Sequence, residues 1–141
     1  MKRAIELAVK NVEEGGQPFG AVLVKDNQII AEGVNELHIK NDISGHAELL
    51  AIRKAQEKLG SLNLSSSTMY ASGHPCPMCL SAMYFSGIKN IYYSASLEDL
   101  EEVGMEYSSF IYQELTKKNK ERTIVMKHIG LSGDIENPLK M

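Results

Sequence analysis

Three side chains in this sequence have the types and the spacing of a metal site. His46 is followed by Cys76 and Cys79, which stand in the stretch Pro-Cys-Pro-Met-Cys. One imidazole and two thiolates give a tetrahedral zinc ion three protein ligands and leave its fourth position open for water, as in catalytic zinc sites. We therefore predict that these residues bind one Zn²⁺ per chain.

Glu48 lies two residues after the histidine and is not required as a ligand. The order H-x-E followed by P-C-x-x-C is typical of zinc-dependent nucleobase deaminases, in which the glutamate transfers protons. In that chemistry zinc lowers the pKa of its water from about 16 towards 7, and the hydroxide attacks the ring carbon that carries the amine. Glu48 is therefore the predicted catalytic residue, which takes a proton from water and returns protons to the ring and to the departing ammonia.

Two other interpretations of the cysteine pair stay open. A Cys-x-x-Cys sequence alone also occurs in thioredoxin-like redox proteins. A zinc ion that only stabilises a fold normally has a fourth protein ligand, for which His74 is the only nearby candidate. The presence of Glu48 two residues after His46 favours the catalytic interpretation. His38 and His128 are interpreted as ordinary loop and strand residues.

The composition limits the classes of protein to which the chain can belong. Its 141 residues, 43% of them hydrophobic, predict a single globular domain over residues 1–141. Fifteen basic and 18 acidic residues give a net charge of -3, so nucleic-acid binding is not expected. No apolar run is long enough to cross a membrane. Two cysteines so close together indicate metal ligands rather than a disulfide, which predicts a reducing compartment, the cytoplasm.

The chain contains sequence patterns of both strands and helices. Short apolar runs predict five strands, over residues 19–24, 28–34, 67–72, 88–95 and 122–129. Apolar positions with helical spacing predict four helices, over residues 1–14, 46–59, 77–87 and 109–118. Asp26 and Asn27 form the predicted hairpin turn between the first two strands.

The predicted helices place the chemical groups at two helix N-termini. His46 and Glu48 fall in the first turn of one helix, and the two cysteines fall at the start of the next. Unpaired N–H groups at a helix start favour thiolate over thiol. Because the helix over residues 46–59 is apolar on more than one face, we expect the sheet to cover one side and a second subunit to cover another.

Several stretches beyond the metal motif resemble one family. They are residues 18–22, 24–26, 29–33 with Asn35, 41–42, 46–48, 51–55, 75–79, 109–112 and 121–124. On these residues the chain resembles the cytidine-deaminase-like superfamily, and within it the bacterial guanine deaminases. The resemblance covers nearly the whole length, and the later stretches favour guanine deaminases over tRNA adenosine deaminases.

The resemblance implies a fold, a set of substrate contacts and an assembly. The fold would be a three-layer α/β/α arrangement with a five-stranded mixed sheet between helices. Asn35 would hydrogen-bond the purine, Phe19 and Phe85 would flank it, and the backbone of Ala47 would lie against it. The protein would be a homodimer that exchanges C-terminal segments, and its reaction would convert guanine to xanthine and ammonia.

The sequence departs from the family pattern at positions that concern the substrate. His74 stands where the family has Glu, and Tyr107 stands at the second position of an acidic pair that reads guanine. Glu106 is the acidic residue expected to take over that role. The resemblance makes guanine the leading substrate. The departures from the family pattern leave another aminated purine, pyrimidine or triazine as alternatives. A tRNA adenosine deaminase and a non-enzymatic zinc-stabilised module are the rival functions.

Overall fold

The computed structural model describes all residues from 1 to 141. The helices are α1 (Lys2–Glu13), α2 (Ala47–Leu59), α3 (Pro77–Phe85), α4 (Leu97–Glu102) and α5 (Tyr107–Thr116). The strands are β1 (Gly20–Lys25), β2 (Gln28–Val34), β3 (Thr68–Gly73) and β4 (Asn90–Ala95). Short 3-10 turns follow at Asn119–Glu121 and Pro138–Lys140. None of the helices combines the length and the apolar character needed to span a membrane.

The strands form one mixed sheet in the order β2-β1-β3-β4. β1 pairs antiparallel with both of its neighbours, and β3 pairs parallel with β4 through the α3 crossover. Asp26 and Asn27 make the predicted hairpin turn with φ values of 51° and 59°, because a two-residue turn of this type needs both residues in the left-handed region. The prediction that the first apolar run is a central strand is confirmed.

The prediction of five strands is wrong, because the sheet has four. Residues 122–129 form no strand. The chain turns at 119–121, after which the Arg122 guanidinium donates to the Glu114 backbone carbonyl and the Thr123 N–H donates to its carboxylate. These contacts hold the start of the segment against α5, and β4 remains an edge strand.

Helices cover both faces of the sheet. Alternate residues of a strand point to opposite faces, so Gly20 and its neighbour Ala21 face different layers. A Cβ at Gly20 would meet α1, whereas Ala21 belongs to a buried cluster with residues of α2 and α3. That cluster is the main core and includes Leu23, Ala51, Ile52, Ala55, Leu64, Met69 and Met83.

The acidic stretch after β4 forms the short helix α4. Ser96 caps α4: its hydroxyl accepts from the Asp99 N–H, and the Asp99 carboxylate accepts from the Ser96 N–H. Glu98, Glu101 and Glu102 stay exposed, while Leu100 is buried. α4 and α5 pack beside each other, and together they form the wall of the site that faces the metal-binding helices.

Candidate metal centre and active site

α2 places His46 and Glu48 at the edge of the sheet. The helix begins after His46, which has extended backbone angles, and ends at Gly60 in the left-handed conformation. β2 approaches α2 closely at Gly33, since a Cβ there would overlap the Ala47 carbonyl oxygen and lie 2.9 Å from the Ala51 nitrogen. The absence of a side chain at Gly33 therefore sets how deeply the first turn of α2 sits on the sheet.

α3 places the two cysteines. Cys76 is its N-cap residue and Pro77 its first helical residue, where a missing N–H does no harm. The Pro75 carbonyl just before the helix accepts a hydrogen bond from the Tyr112 hydroxyl at 2.6 Å. His74 Nδ1 lies 2.9 Å from the same oxygen, so Nδ1 is the protonated nitrogen that donates to it. The Pro75 carbonyl is thus held by one hydrogen bond from α5 and by another from the preceding residue, His74.

The three predicted ligands converge. His46 Nδ1 lies 3.4 Å from the Cys76 Sγ and 3.6 Å from the Cys79 Sγ. Zinc bonds of about 2.3 Å to sulfur and about 2.0 Å to nitrogen at a tetrahedral angle require these atoms to be about 3.5 Å apart. The donor set and its spacing therefore fit a zinc ion. His74 does not join this group, so the arrangement is one of three ligands and not the closed site of a purely structural zinc.

The charges of the two thiols are coupled. A hydrogen bond from Cys79, followed by one with His46, lowers the pKa of Cys76 to about 4. Cys79 is the donor of that bond and is buried, which raises the pKa of its own thiol. The hydrogen bond with Cys76 also raises the pKa of His46. A pair of this kind carries one thiolate at neutral pH and releases the second proton when a cation binds both sulfur atoms.

Glu48 lies beside the metal-binding group but is not part of it. Glu48 is 7% exposed and lines a cavity next to the metal-binding group. Burial raises the pKa of the Glu48 carboxyl, which moves it towards the range in which a side chain can both accept and donate a proton. The structure thus places a buried carboxyl group in the cavity next to the metal-binding group, and its role in proton transfer stays a prediction.

The cavity beside the metal-binding group has a volume of about 490 Å³. The predicted residues that line it are Phe19, Asn35, His46, Ala47, Glu48 and Cys76. Asn35 is 1% exposed, and its Oδ1 accepts the Leu37 N–H at 3.0 Å. The cavity lies within the size range of about 300–1,000 Å³ typical of small-molecule sites. Its lining is largely apolar with a few polar groups, as expected for a flat ring.

Two residues predicted to contact the substrate do not line this cavity. Phe85 is the last residue of α3 and is 93% exposed, because the end of that helix points away from the metal-binding group. Glu106 is the exposed N-cap of α5. Glu106 does not line the cavity, where Met105, Tyr107 and Ser108 lie instead.

Several lining residues were missed by sequence reasoning. Gln17 lies in the loop after α1 and contacts Asn35, and Ser108 has a buried hydroxyl without a hydrogen-bond partner. His74 and Tyr107, where the family pattern is broken, both line the cavity as well. The sequence carried no periodic signal for Gln17, which follows Gly15 and Gly16 in an apparent turn. Ser108 lies one position before the predicted start of α5.

Comparison with known proteins agrees with the geometry. Residues 1–95 match the cytidine and deoxycytidylate deaminase zinc-binding region. A guanine deaminase of Bacillus subtilis (strain 168) is 47% identical over 133 residues, which is 94% of this chain and 85% of the relative. A tRNA-specific adenosine deaminase of Buchnera aphidicola is 33% identical over 129 residues, covering 92% of this chain and 82% of the relative.

The likeness extends to three dimensions. The X-ray structure of guanine deaminase from Bacillus subtilis superposes with a TM-score of 0.87 at 47% identity, over 93% of this chain and 83% of that one. The matched region contains both halves of the metal motif, whose ligands the fold brings together as the sequence predicts. The chain belongs to the zinc-dependent cytidine and deoxycytidylate deaminase family, and its similarity extends over most of its length to bacterial guanine deaminase.

Proposed function

We propose that the protein deaminates guanine hydrolytically, giving xanthine and ammonia. The observation that carries the proposal is the convergence of His46, Cys76 and Cys79 beside a cavity lined by Glu48. The likeness to a guanine deaminase at 47% identity supports guanine as the ring, against 33% for a tRNA-specific adenosine deaminase. A net charge of -3 also weighs against an RNA substrate.

His46, Cys76 and Cys79 are the residues that would hold the metal. A zinc ion bound there would supply Lewis acidity, which lowers the pKa of a water ligand to near 7. α3 begins at Cys76, so the positive end of its helix dipole lies at the cysteines and stabilises the negative charge of their thiolates. The Tyr112 hydroxyl keeps the Pro75 carbonyl in place, and with it the start of α3.

Glu48 moves the protons of the reaction. Its carboxylate accepts a proton from the attacking water and donates one to a ring nitrogen. A new bond forms between the water oxygen and the ring carbon, and the bond from that carbon to the amine breaks. Glu48 transfers the second proton of the attacking water to the amine, which leaves as neutral ammonia. Burial of Glu48 excludes bulk water, which would otherwise compete for these protons.

The walls of the cavity position the ring. We propose that Phe19 packs against one face of the purine and that the backbone of Ala47 lies along its edge. Asn35 has its Oδ1 occupied by the Leu37 N–H, so its Nδ2 is the group available to hydrogen-bond the base. No carboxylate besides Glu48 lines the cavity. The second acidic group expected from the family is thus replaced by neutral side chains.

We also propose that the protein is a homodimer that exchanges its C-terminal segments. Tyr84 and Phe85 on α3 are 78% and 93% exposed, and the segment after α5 carries exposed apolar residues such as Ile129 and Leu139. Burying such side chains against a second copy is the ordinary way to remove them from water. Sedimentation should show a dimer, which Phe85→Ser weakens and an exposed polar control, Gln113→Ser, leaves intact.

The cytoplasm is the proposed location. Both cysteines are free, and they must remain reduced thiols to bind a metal. Reducing conditions of this kind prevail in the cytosol.

The decisive experiment is an ammonia-release screen of zinc-loaded protein against free bases, nucleosides and tRNA. Guanine should be turned over, and turnover should stop when the zinc is removed by a chelator. Ammonia release from adenosine in tRNA would instead indicate the rival function, a tRNA adenosine deaminase. Glu48→Gln should retain zinc by metal analysis but lose about 10²- to 10⁴-fold in kcat, the usual contribution of proton transfer. Glu57→Gln, an exposed site on the same helix, is the matched control. Near-normal turnover by Glu48→Gln would remove Glu48 from the mechanism.

A further inference from the structure

Gln17 contributes a polar side chain to the cavity that the reaction itself does not use. The residue is exposed at the rim, yet its backbone is held firmly. The buried side chain of Asn11 donates to the Gln17 carbonyl at 2.8 Å and to the Asn35 carbonyl at 3.0 Å. The Phe19 N–H donates to the same Gln17 carbonyl at 2.8 Å. The loop before β1 therefore holds Gln17 at a fixed distance from Asn35.

The orientation of the Gln17 amide follows from a backbone group that can only donate. The Leu37 N–H requires an acceptor, so the atom of Asn35 that faces it is Oδ1. Asn35 Nδ2 then faces Gln17 as a donor, at 3.1 Å from Oε1. The Gln17 oxygen is occupied in turn, and Gln17 Nε2 is the end of that amide left free for a ligand.

This chain of hydrogen bonds makes one part of the cavity wall a donor surface. Asn35 retains one N–H and Gln17 retains two, whereas the oxygen of each amide already accepts a hydrogen bond. A donor surface binds acceptor atoms such as a carbonyl oxygen or an unprotonated ring nitrogen. An exocyclic amine in the same place would point its N–H groups at those of Asn35 and Gln17, and no hydrogen bond could form between them.

We propose that Gln17 is a specificity-determining residue, whose side-chain amide donates a hydrogen bond to an oxo group of the substrate ring. The inference rests on the proposed function, since guanine carries its oxo group on a different carbon from the amine that is lost. Gln17 thereby selects oxopurines over aminopurines that lack the oxygen.

The test compares two ligands that differ in the oxo group and that carry no amine to be removed. Hypoxanthine has the oxygen and a proton on the adjacent N1, whereas purine has neither. Binding of each to zinc-loaded full-length protein is measured by calorimetry. We expect the dissociation constant of the wild type for hypoxanthine to be about fivefold lower than that for purine, which is the usual contribution of one partly exposed hydrogen bond. Gln17→Glu, which keeps an acceptor for Asn35, and Gln17→Leu should both abolish that preference while purine affinity stays within about twofold.

Gln28→Leu is the matched control, because Gln28 is exposed at the start of β2 and outside the cavity. It should keep the preference for hypoxanthine. Equal loss of affinity for both ligands in the Gln17 variants, an unchanged preference in them, or no preference in the wild type would each overturn the inference. Guanine turnover is measured separately, so a missing oxo preference in an active enzyme removes the inference alone, and an absence of guanine turnover contradicts the proposed function.

Discussion

Substitution of Gly33 by alanine should displace one of the three metal-binding residues, His46, without touching its side chain. The added Cβ would overlap the Ala47 carbonyl oxygen and lie 2.9 Å from the Ala51 nitrogen. Both atoms are backbone, so no side-chain rotation relieves the contact. α2 must move by more than about 0.5 Å to bring even the Ala51 nitrogen to an ordinary contact of 3.4 Å. His46 and Glu48 move with it.

The magnitude follows from the tolerance of such sites. Functional groups have to stay within about 0.5 Å of their productive positions, so the displacement should weaken zinc binding at least tenfold and lower turnover further. Overpacking against backbone should also cost about 3 kcal/mol of unfolding free energy, or about 10 °C in Tm. Thermal unfolding, chelator competition for zinc and ammonia release measure the three effects.

A matched control is available at Gly130, where a Cβ would meet only a ring atom of His128 at 3.7 Å. Gly130→Ala should therefore keep the wild-type Tm and zinc affinity. If Gly33→Ala loses stability but binds zinc as tightly as the wild type, the contact between β2 and α2 does not position His46. If it keeps both properties, the described packing is wrong.

Two further predictions concern groups around the site. Tyr112→Phe should raise the zinc dissociation constant about tenfold in chelator competition, with a loss of only about 1 kcal/mol in stability, because its hydroxyl anchors the Pro75 carbonyl. A hydrogen bond from Lys117, followed by those from Thr123, lowers the pKa of Glu114 from 4.5 to about 2. The ionised carboxylate stabilises the fold above pH 4.5, and this contribution is lost as the pH falls towards 2. Glu114→Gln should thus have a lower Tm at pH 7 and approach the wild type in acid, and a constant difference would contradict the assignment.

Local sequence signals were sufficient for the metal-binding group. A histidine at one helix start and a cysteine pair at the next are placed by capping and helix periodicity, which depend on few residues. The same applies to the hairpin at Asp26 and Asn27. The convergence of the two helix starts was inferred from their chemistry, and the separations of 3.4 and 3.6 Å confirm it.

Contacts between distant loops left no such signal. The hydrogen bond from Asn35 to Gln17 joins positions 18 residues apart, and neither residue type is unusual in a turn. Phe85 was assigned to the substrate from resemblance alone, although the direction of α3 leaves it exposed. Contacts between side chains that meet only after folding cannot be predicted from local sequence, because the same loop residues are compatible with several backbone conformations.

The segment over residues 122–129 shows why a correct local preference can still give a wrong element. Ile124, Val125 and Met126 have the apolar character of a strand, and all three are more than half exposed. A strand exists only when another strand pairs with it. The contacts of Arg122 and Thr123 with Glu114 hold the start of the segment against α5, and residues 122–129 pair with no strand. An exposed apolar segment and an unpaired strand edge are both features that a second chain can cover. Disruption of the Glu114 contacts should therefore alter the proposed dimer as well as the monomer, and the measurement is sedimentation of Glu114→Gln at pH 7.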